Sequence, residues 1–244
     1  MRSVSGIRGI VGEGLTPENI VKHIYAFTTL LNKKDIIVGG DSRTSNTFIR
    51  PIVKSTLMAC GYNVVDIGIT PTPTVQITVE KMNAAGGIAI TASHNPIEWN
   101  GLKFMGPDGL FLPQDSIKKL FDAADNIKRQ YVNWKSIGKK SRYASAIDDH
   151  LEKIYNLSFV NVDQIHKKKF KIALDCVNGA GGLIIPKLLE HLGCEVIGIN
   201  LEPTGIFAHT PEPVPQNLKD LARIVNENNC NIERYHQWLC LLTD

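Results

Sequence analysis

Four side chains in this sequence combine a reactive or charged group with a neighbourhood that leaves it usable: a serine, a lysine and two arginines. The serine is Ser93, in the loop Thr91-Ala92-Ser93-His94-Asn95-Pro96 that ends the apolar run Ile88-Ala89-Ile90. Small neighbours expose its hydroxyl, and Asn95-Pro96 fixes a turn. Such a serine suits nucleophilic or phosphoryl-carrying chemistry, and the competing reading is an ordinary turn residue. Ser93 is not in a G-x-S-x-G elbow, and adjacent Ser and His side chains diverge, so a hydrolase triad is not indicated. Lys103, between Leu102 and Phe104, is either an acid or base whose pKa burial lowers, or a strand lysine facing solvent. Arg8 stands between glycines in Ser5-Gly6-Ile7-Arg8-Gly9, where its planar fork could meet phosphate or carboxylate; the alternative is a surface arginine in a turn. In Gly39-Gly40-Asp41-Ser42-Arg43-Thr44-Ser45, Arg43 either contacts a ligand or pairs with Asp41 to shape the loop.

The elements that must position these groups alternate between strand and helix patterns. Thr16 as N-cap and Pro17 at the first helical position open a helix through Ile20, Val21, Ile24 and Phe27. Ile36–Val38 is a short strand, followed by a helix through Ile49, Val53, Leu57 and Met58 that stops at Gly61. A strand at Asn63–Ile67, a helix at Thr74–Met82 and a strand at Gly87–Ile90 continue the alternation, and Leu112 to about Gln130 reads as helix. The polar stretch Asn133–Ser141 marks a domain boundary. Beyond it, Ile147, Leu151, Ile154 and Tyr155 predict a helix, and Phe170–Gly182 a buried strand with a glycine loop. A helix over Leu183–Gly193 and a strand over Cys194–Asn200 follow. The expected fold is two consecutive α/β domains, 1–135 and 145–244, with mixed, largely parallel sheets, helices on both faces, and the second domain incomplete. In such sheets functional loops collect at the carboxyl ends of strands. Four loops fit that place: Ser5–Gly9, Gly39–Ser45, Thr91–Asn100 and Asn178–Gly182.

Composition narrows the classes. A chain of 244 residues, 43% hydrophobic and 21% charged, can bury a core without disulfides or metals. A net charge of +3 with scattered basic residues argues against a nucleic-acid partner, and Lys167-Lys168-Lys169 reads as a solvated linker. The seven histidines show no metal-ligand spacing, and the five cysteines form no C-x-x-C pair. Cys176, in an apolar run, suits a buried thiol in a reducing compartment. No signal-peptide core and no apolar run near ~18 residues occurs, so no membrane partner and a cytoplasmic location are expected.

Taken together, several segments resemble one family. TASHNP followed by WNGLKF, with SGIRG, GGDSRTS, TPTPT, DCVNGAGG and HTPEPVPQNL in this order, resemble the α-D-phosphohexomutases, which include phosphoglucomutases, phosphomannomutases and phosphoglucosamine mutases. The resemblance runs from Ser3 to Val225, and the SGIRG opening is most similar to the phosphoglucosamine mutase and archaeal-type branch. It implies a hexose phosphate or hexosamine phosphate substrate and a phosphate carried on Ser93, passed to the sugar and returned from its other end. It further implies that His94 and Asn95 shape the phosphate site, that Arg8 and Lys103 neutralise the transferring group and assist proton movement, and that Arg43 and Asn100 contact phosphate or substrate. Positioning and charge stabilisation dominate phosphoryl transfer, so a cationic cluster about one serine fits. Mg2+, bound through the Ser93 phosphate and a carboxylate loop, is the implied cofactor.

The sequence departs from the family pattern at that carboxylate loop. An Asp-x-Asp-x-Asp-Arg run is expected soon after the helix following PEPVPQNL, but the chain reads CNIERYHQWLCLLTD. After Asp220 the acidic residues are Glu227, Glu233 and Asp244, too dispersed for one metal cage. ERYHQW stands where the loop belongs and LCLLTD resembles the strand after it, as a deletion or frame change would leave them. The family's two further domains, with its specificity and phosphate-gripping loops, would lie beyond Asp244. Little or no mutase activity is therefore expected of this chain alone. The alternatives are a non-catalytic phosphosugar-binding fragment or a half-enzyme complemented by a separate C-terminal chain. An exposed WLCLL edge would also favour self-association.

Overall fold

The computed structural model describes residues 2–32, 35–126, 128 and 130–235, with backbone only over 232–235. The first sheet has seven strands in the order β1-β2-β6-β5-β3-β4-β7. These are β1 (Arg2–Ser3), β2 (Gly6–Ile10), β3 (Asp35–Gly40), β4 (Asn63–Ile69), β5 (Gly86–Ile90), β6 (Trp99–Met105) and β7 (Lys140–Arg142). The β5–β3–β4–β7 run is parallel, whereas β1, β2 and β6 pair antiparallel. β5 is buried along its whole length and β3 beyond Asp35, as central parallel strands covered on both faces must be.

Alternation along these strands sends side chains to two cores. Ile36, Val38, Ile88, Ile90, Leu102 and Phe104 face α1 (Pro17–Thr28), α2 (Asn46–Ala59) and α4 (Gln114–Asn126), packing with Ile20, Ile24, Phe27, Ile49, Val53, Leu57 and Leu120. Ile37, Ala89 and Met105 face the other way, onto Val75 and Val79 of α3 (Thr72–Lys81) and Ala146 of α5 (Ala146–Tyr155). Thr16 caps α1 as expected, its Oγ1 accepting from the Asn19 N–H at 3.3 Å.

Two features go beyond what the sequence patterning announces. The stretch 133–141 contains a short 3-10 turn, Trp134–Ser136, and leads into β7, which pairs in parallel with Val64–Asp66. Its residues Lys140–Arg142 are all exposed, so no apolar alternation announces the strand; polar edge strands of this kind are common. Helix α5 then packs on α3 of the first sheet's unit. The contact includes Thr74 Oγ1 and His150 Nδ1 at 2.8 Å and a Lys81–Asp149 ion pair at 2.6 Å.

The second sheet has three described strands, all parallel, in the order β10-β8-β9: β8 (Lys171–Asp175), β9 (Glu195–Ile199) and β10 (Ile232–Tyr235). Ala173, Leu221 and Ile224 form its small core beneath α8 (Lys219–Asn228). A 3-10 turn, Ala180–Leu183, leads into α7 (Ile185–His191), and α6 (Val162–Lys168) precedes β8. Lys167 and Lys168 are the last turn of α6 rather than a linker, where cations favour the negative helix end. WLCLL, Cys240 and Asp244 lie outside the described residues, as does the second half of ERYHQW.

Candidate active site

β3 and β5 run parallel and end together, so the loops after Gly40 and Ile90 share one rim of the sheet. β6 begins at that rim, and Thr91 N donates to Gly101 O at 2.9 Å. Ser93 stands at the tip of the β5 loop with φ of +57°, a left-handed conformation that a non-glycine residue holds only when its surroundings impose it. Two bonds impose it here. The Ser93 N–H donates to Thr91 Oγ1 at 3.0 Å, and the Ser93 carbonyl accepts from Arg43 Nη2 at 2.9 Å. The Ser93 side chain remains partly exposed, and its Oγ lies 3.4 Å from Nδ1 of the exposed His94, the outer limit of a hydrogen bond.

Arg8 reaches this loop directly: its Nη1 donates to Asn95 Oδ1 at 2.8 Å. Arg8 pairs with Gly101 and Gly6 with Lys103 across β2 and β6, so Arg8 and Lys103 project from the same face. Gly101 between them must lack a side chain, because a Cβ there would lie 2.5 Å from Ile7 O and 3.2 Å from Arg8 Cα. Lys103 Nζ sits 5.5 Å from the Phe111 ring centroid, a cation–π distance. Ser93, His94, Asn95 and Arg8 thus form one cluster. Lys103 shares the Arg8 face, about two residues (~7 Å) further from the rim.

Two residues expected to contact ligand do other work. Arg43 is 1% exposed and all five of its N–H donors are engaged. Nε meets Asp41 Oδ2 at 3.2 Å, Nη1 donates to the carbonyls of Pro96 (2.6 Å) and Trp99 (3.0 Å), and Nη2 to those of Ser93 (2.9 Å) and Asn95 (2.6 Å). A guanidinium saturated in this way cannot also grip a phosphate, so Arg43 is corrected from a ligand contact to the clamp of the Ser93 loop. Burial pushes the Asp41 carboxyl above its ordinary range, opposed chiefly by the Arg43 guanidinium. Asn100 is fully buried and donates from Nδ2 to Ser45 Oγ (2.8 Å) and Asn46 Oδ1 (2.9 Å), while its Oδ1 accepts from Gly101 N at 2.7 Å. It ties the two loops together from below and has no surface left for substrate.

Sequence reasoning picked out the Asn178–Gly182 loop of the second sheet but missed Asp175, Phe207 and His209. Asp175, 1% exposed at the end of β8, accepts from Val177 N, Asn200 Nδ2 and His209 Nε2, the last at 2.9 Å. Asn178, in the predicted glycine loop, has φ of +54°, and its carbonyl accepts from Ser42 Oγ at 2.9 Å across the two sheets' units. A cavity of about 340 Å³ opens beside the Ser93 loop between Pro96, Ile97 and Glu98 on one side and Ile206, Phe207 and His209 on the other. Nothing local in the sequence marks the Ser42–Asn178 bond or the two walls of this cavity, because they join residues more than 100 positions apart.

The donors around Ser93 are a hydroxyl, an imidazole, an amide and two cationic side chains. Among the described residues no three His, Cys, Asp or Glu side chains gather to hold a metal ion. That set does not fit Mg2+, which favours carboxylate and phosphate oxygens, so no step is derived through it.

Fold and rim together define a two-unit α/β protein with a constrained, accessible serine loop at the carboxyl ends of its parallel strands. Residues 2–131 match the model for phosphoglucomutase/phosphomannomutase, alpha/beta/alpha domain I, and residues 148–234 that for domain II of the same family. The chain belongs to the phosphoglucomutase/phosphomannomutase family. It is 39% identical over 229 residues to a phosphoglucomutase/phosphomannomutase of Thermococcus kodakarensis, covering 90% of this chain and 49% of that protein. It is 37% identical to a probable phosphoglucosamine mutase of Methanopyrus kandleri, covering 95% of this chain and 50% of that one. A putative phosphomannomutase structure from Thermus thermophilus superposes with a TM-score of 0.83 at 23% identity, over 96% of this chain and 54% of the other. The chain therefore spans about half the length of the curated relatives it matches. Among the described residues, no helix is long and apolar enough to cross a membrane.

Proposed function

We propose that this chain supplies the phosphoserine half of a hexose-phosphate mutase, with Ser93 carrying the phosphoryl group. The carrying observation is the Ser93 backbone, held at φ +57° by Arg43 and Thr91 so that a partly exposed hydroxyl stands in the loop to which Arg8 bonds through Asn95. In the forward step a sugar hydroxyl oxygen bonds to phosphorus as the bond to Ser93 Oγ breaks. The hydroxyl proton leaves to a base, and Ser93 Oγ regains a proton. The return step reverses this at the sugar's other phosphate. Arg8 stabilises charge on the transferring oxygens, Asn95 orients Arg8, and Lys103 and His94 are the proton-handling candidates.

Because the matched relatives are about twice as long, the chain by itself is proposed to carry phosphate with little turnover. A second chain providing the remaining half would complete the site. The purified chain incubated with glucose 1,6-bisphosphate should acquire one phosphoryl group that peptide mapping places on Ser93, and Ser93→Ala should acquire none. Phosphate absent from Ser93 defeats the carrier role. Robust turnover of glucose 1-phosphate, mannose 1-phosphate or glucosamine 6-phosphate by the chain alone defeats the half-enzyme part.

A further inference from the structure

The second domain reaches the serine loop through Arg43. Gly205 has φ of +74°, and a Cβ there would lie 1.8 Å from the Ser42 carbonyl oxygen, so a glycine is what lets this backbone lie on the Asp41–Ser45 loop. Gly205 N donates to Asn178 O at 3.1 Å, the same oxygen that accepts from Ser42 Oγ, and Asn178 Nδ2 donates to Ile206 O at 2.9 Å. Two residues on, the Phe207 ring lies over the Arg43 guanidinium, 4.9 Å from Cζ to the ring centroid. The five in-plane N–H groups of Arg43 are already used on Asp41 and the Ser93 loop. What remains for recognition is the flat face, and Phe207 takes it.

The far side of this contact is itself held in an unfavourable conformation. Val177 has φ of +50°, an outlier for a β-branched residue that persists only where neighbours over-determine it. Those neighbours include Asp175, which accepts from the Val177 N–H at 2.9 Å and anchors His209 at the end of the 205–209 segment.

We infer that Gly205 and Phe207 are positioning residues for Ser93. Docking of the second domain covers the Arg43 face, and Arg43 fixes the carbonyls that hold the serine loop in its left-handed turn. The inference rests on Ser93 as phosphoryl carrier for its functional meaning, but the coupling of the two loops stands on geometry alone. Loop order at Ser93 thereby depends on contact between the domains.

Hydrogen–deuterium exchange on the whole chain tests this. Gly205→Ala and Phe207→Leu should each speed exchange in the peptide spanning Thr91–Trp99 by roughly five-fold or more, with β3 and β5 peptides unchanged, as expected for local opening. Phe207→Tyr keeps a ring over the guanidinium and should restore wild-type protection. Wild-type exchange of that peptide in Phe207→Leu, or equal loss in the Tyr and Leu variants, overturns the inference. Faster exchange throughout the β3 and β5 peptides does so too, because it assigns the effect to general destabilisation. Uptake of phosphate from glucose 1,6-bisphosphate should fall in the same order. A wild-type chain that takes up none would defeat the carrier role while the exchange order still decides the coupling.

Discussion

Replacing Arg43 by lysine tests whether the clamp is the structural basis of the serine loop. The arginine makes five hydrogen bonds, one to Asp41 and four to the carbonyls of Ser93, Asn95, Pro96 and Trp99. Lysine offers three donors from a single nitrogen, so at least two bonds are lost even in the best rotamer. Hydrogen bonds to a charged group contribute about 1.5–3 kcal/mol each. The loop carbonyls are close enough to solvent to recover some hydration, which favours the lower end, so Arg43→Lys should cost about 3 kcal/mol. Arg43→Met should cost more, roughly 3–5 kcal/mol, because Asp41, 2% exposed, is left as an unpaired buried carboxyl. Urea denaturation followed by circular dichroism reads both values. A loss below about 1 kcal/mol for Arg43→Lys would show that the carbonyls do not need the fork, and the clamp role would fall.

Two further outcomes follow from packing and charge. Gly101→Ala places a methyl 2.5 Å from Ile7 O and 3.0 Å from Thr91 O, forcing β2 and β6 apart; a loss of about 2–3 kcal/mol should lower Tm by roughly 5 °C or more, and an unchanged Tm refutes the close approach. His150, held against Thr74, has its pKa pushed down from 6.5 to about 4, first by burial and then by Lys153. The unfolded chain therefore binds this proton more readily than the folded one between those values. Its contribution is fully present above pH 6.5 and is lost as pH falls toward 4, at most about 3 kcal/mol and nearer 2 after allowing for partial solvent access. Urea midpoints measured across that window should flatten in His150→Gln, and an equally steep profile in that variant would assign the titration elsewhere.

The fold was legible where burial imposed a period. Ile36–Val38 and Ile88–Ile90 announce themselves because a parallel central strand is apolar on both faces. Thr16-Pro17 announces α1 because cap chemistry is local. β7 was hidden for the opposite reason: Lys140–Arg142 is exposed and polar, held by backbone pairing to β4 alone. The packing of α5 on α3 was hidden too, since a helix's apolar stripe does not say which neighbour it will cover.

The sequence by itself determined the chemistry available: a serine in a short loop at the end of an apolar strand, with arginine and lysine on glycine-flanked or apolar segments. Those are properties of residue type and nearest neighbours, which the chain carries wherever it goes. Only the tertiary structure decided how each cation is used. Arg8 and Arg43 read alike in sequence, each near glycines and a rim loop. Folding leaves Arg8 partly exposed with a bond to Asn95, and buries Arg43 beneath Phe207 with every donor satisfied. The difference arises from partners 50 to 164 positions away. An arginine's role is set by which acceptors the fold brings to its fork, and no local pattern encodes that meeting.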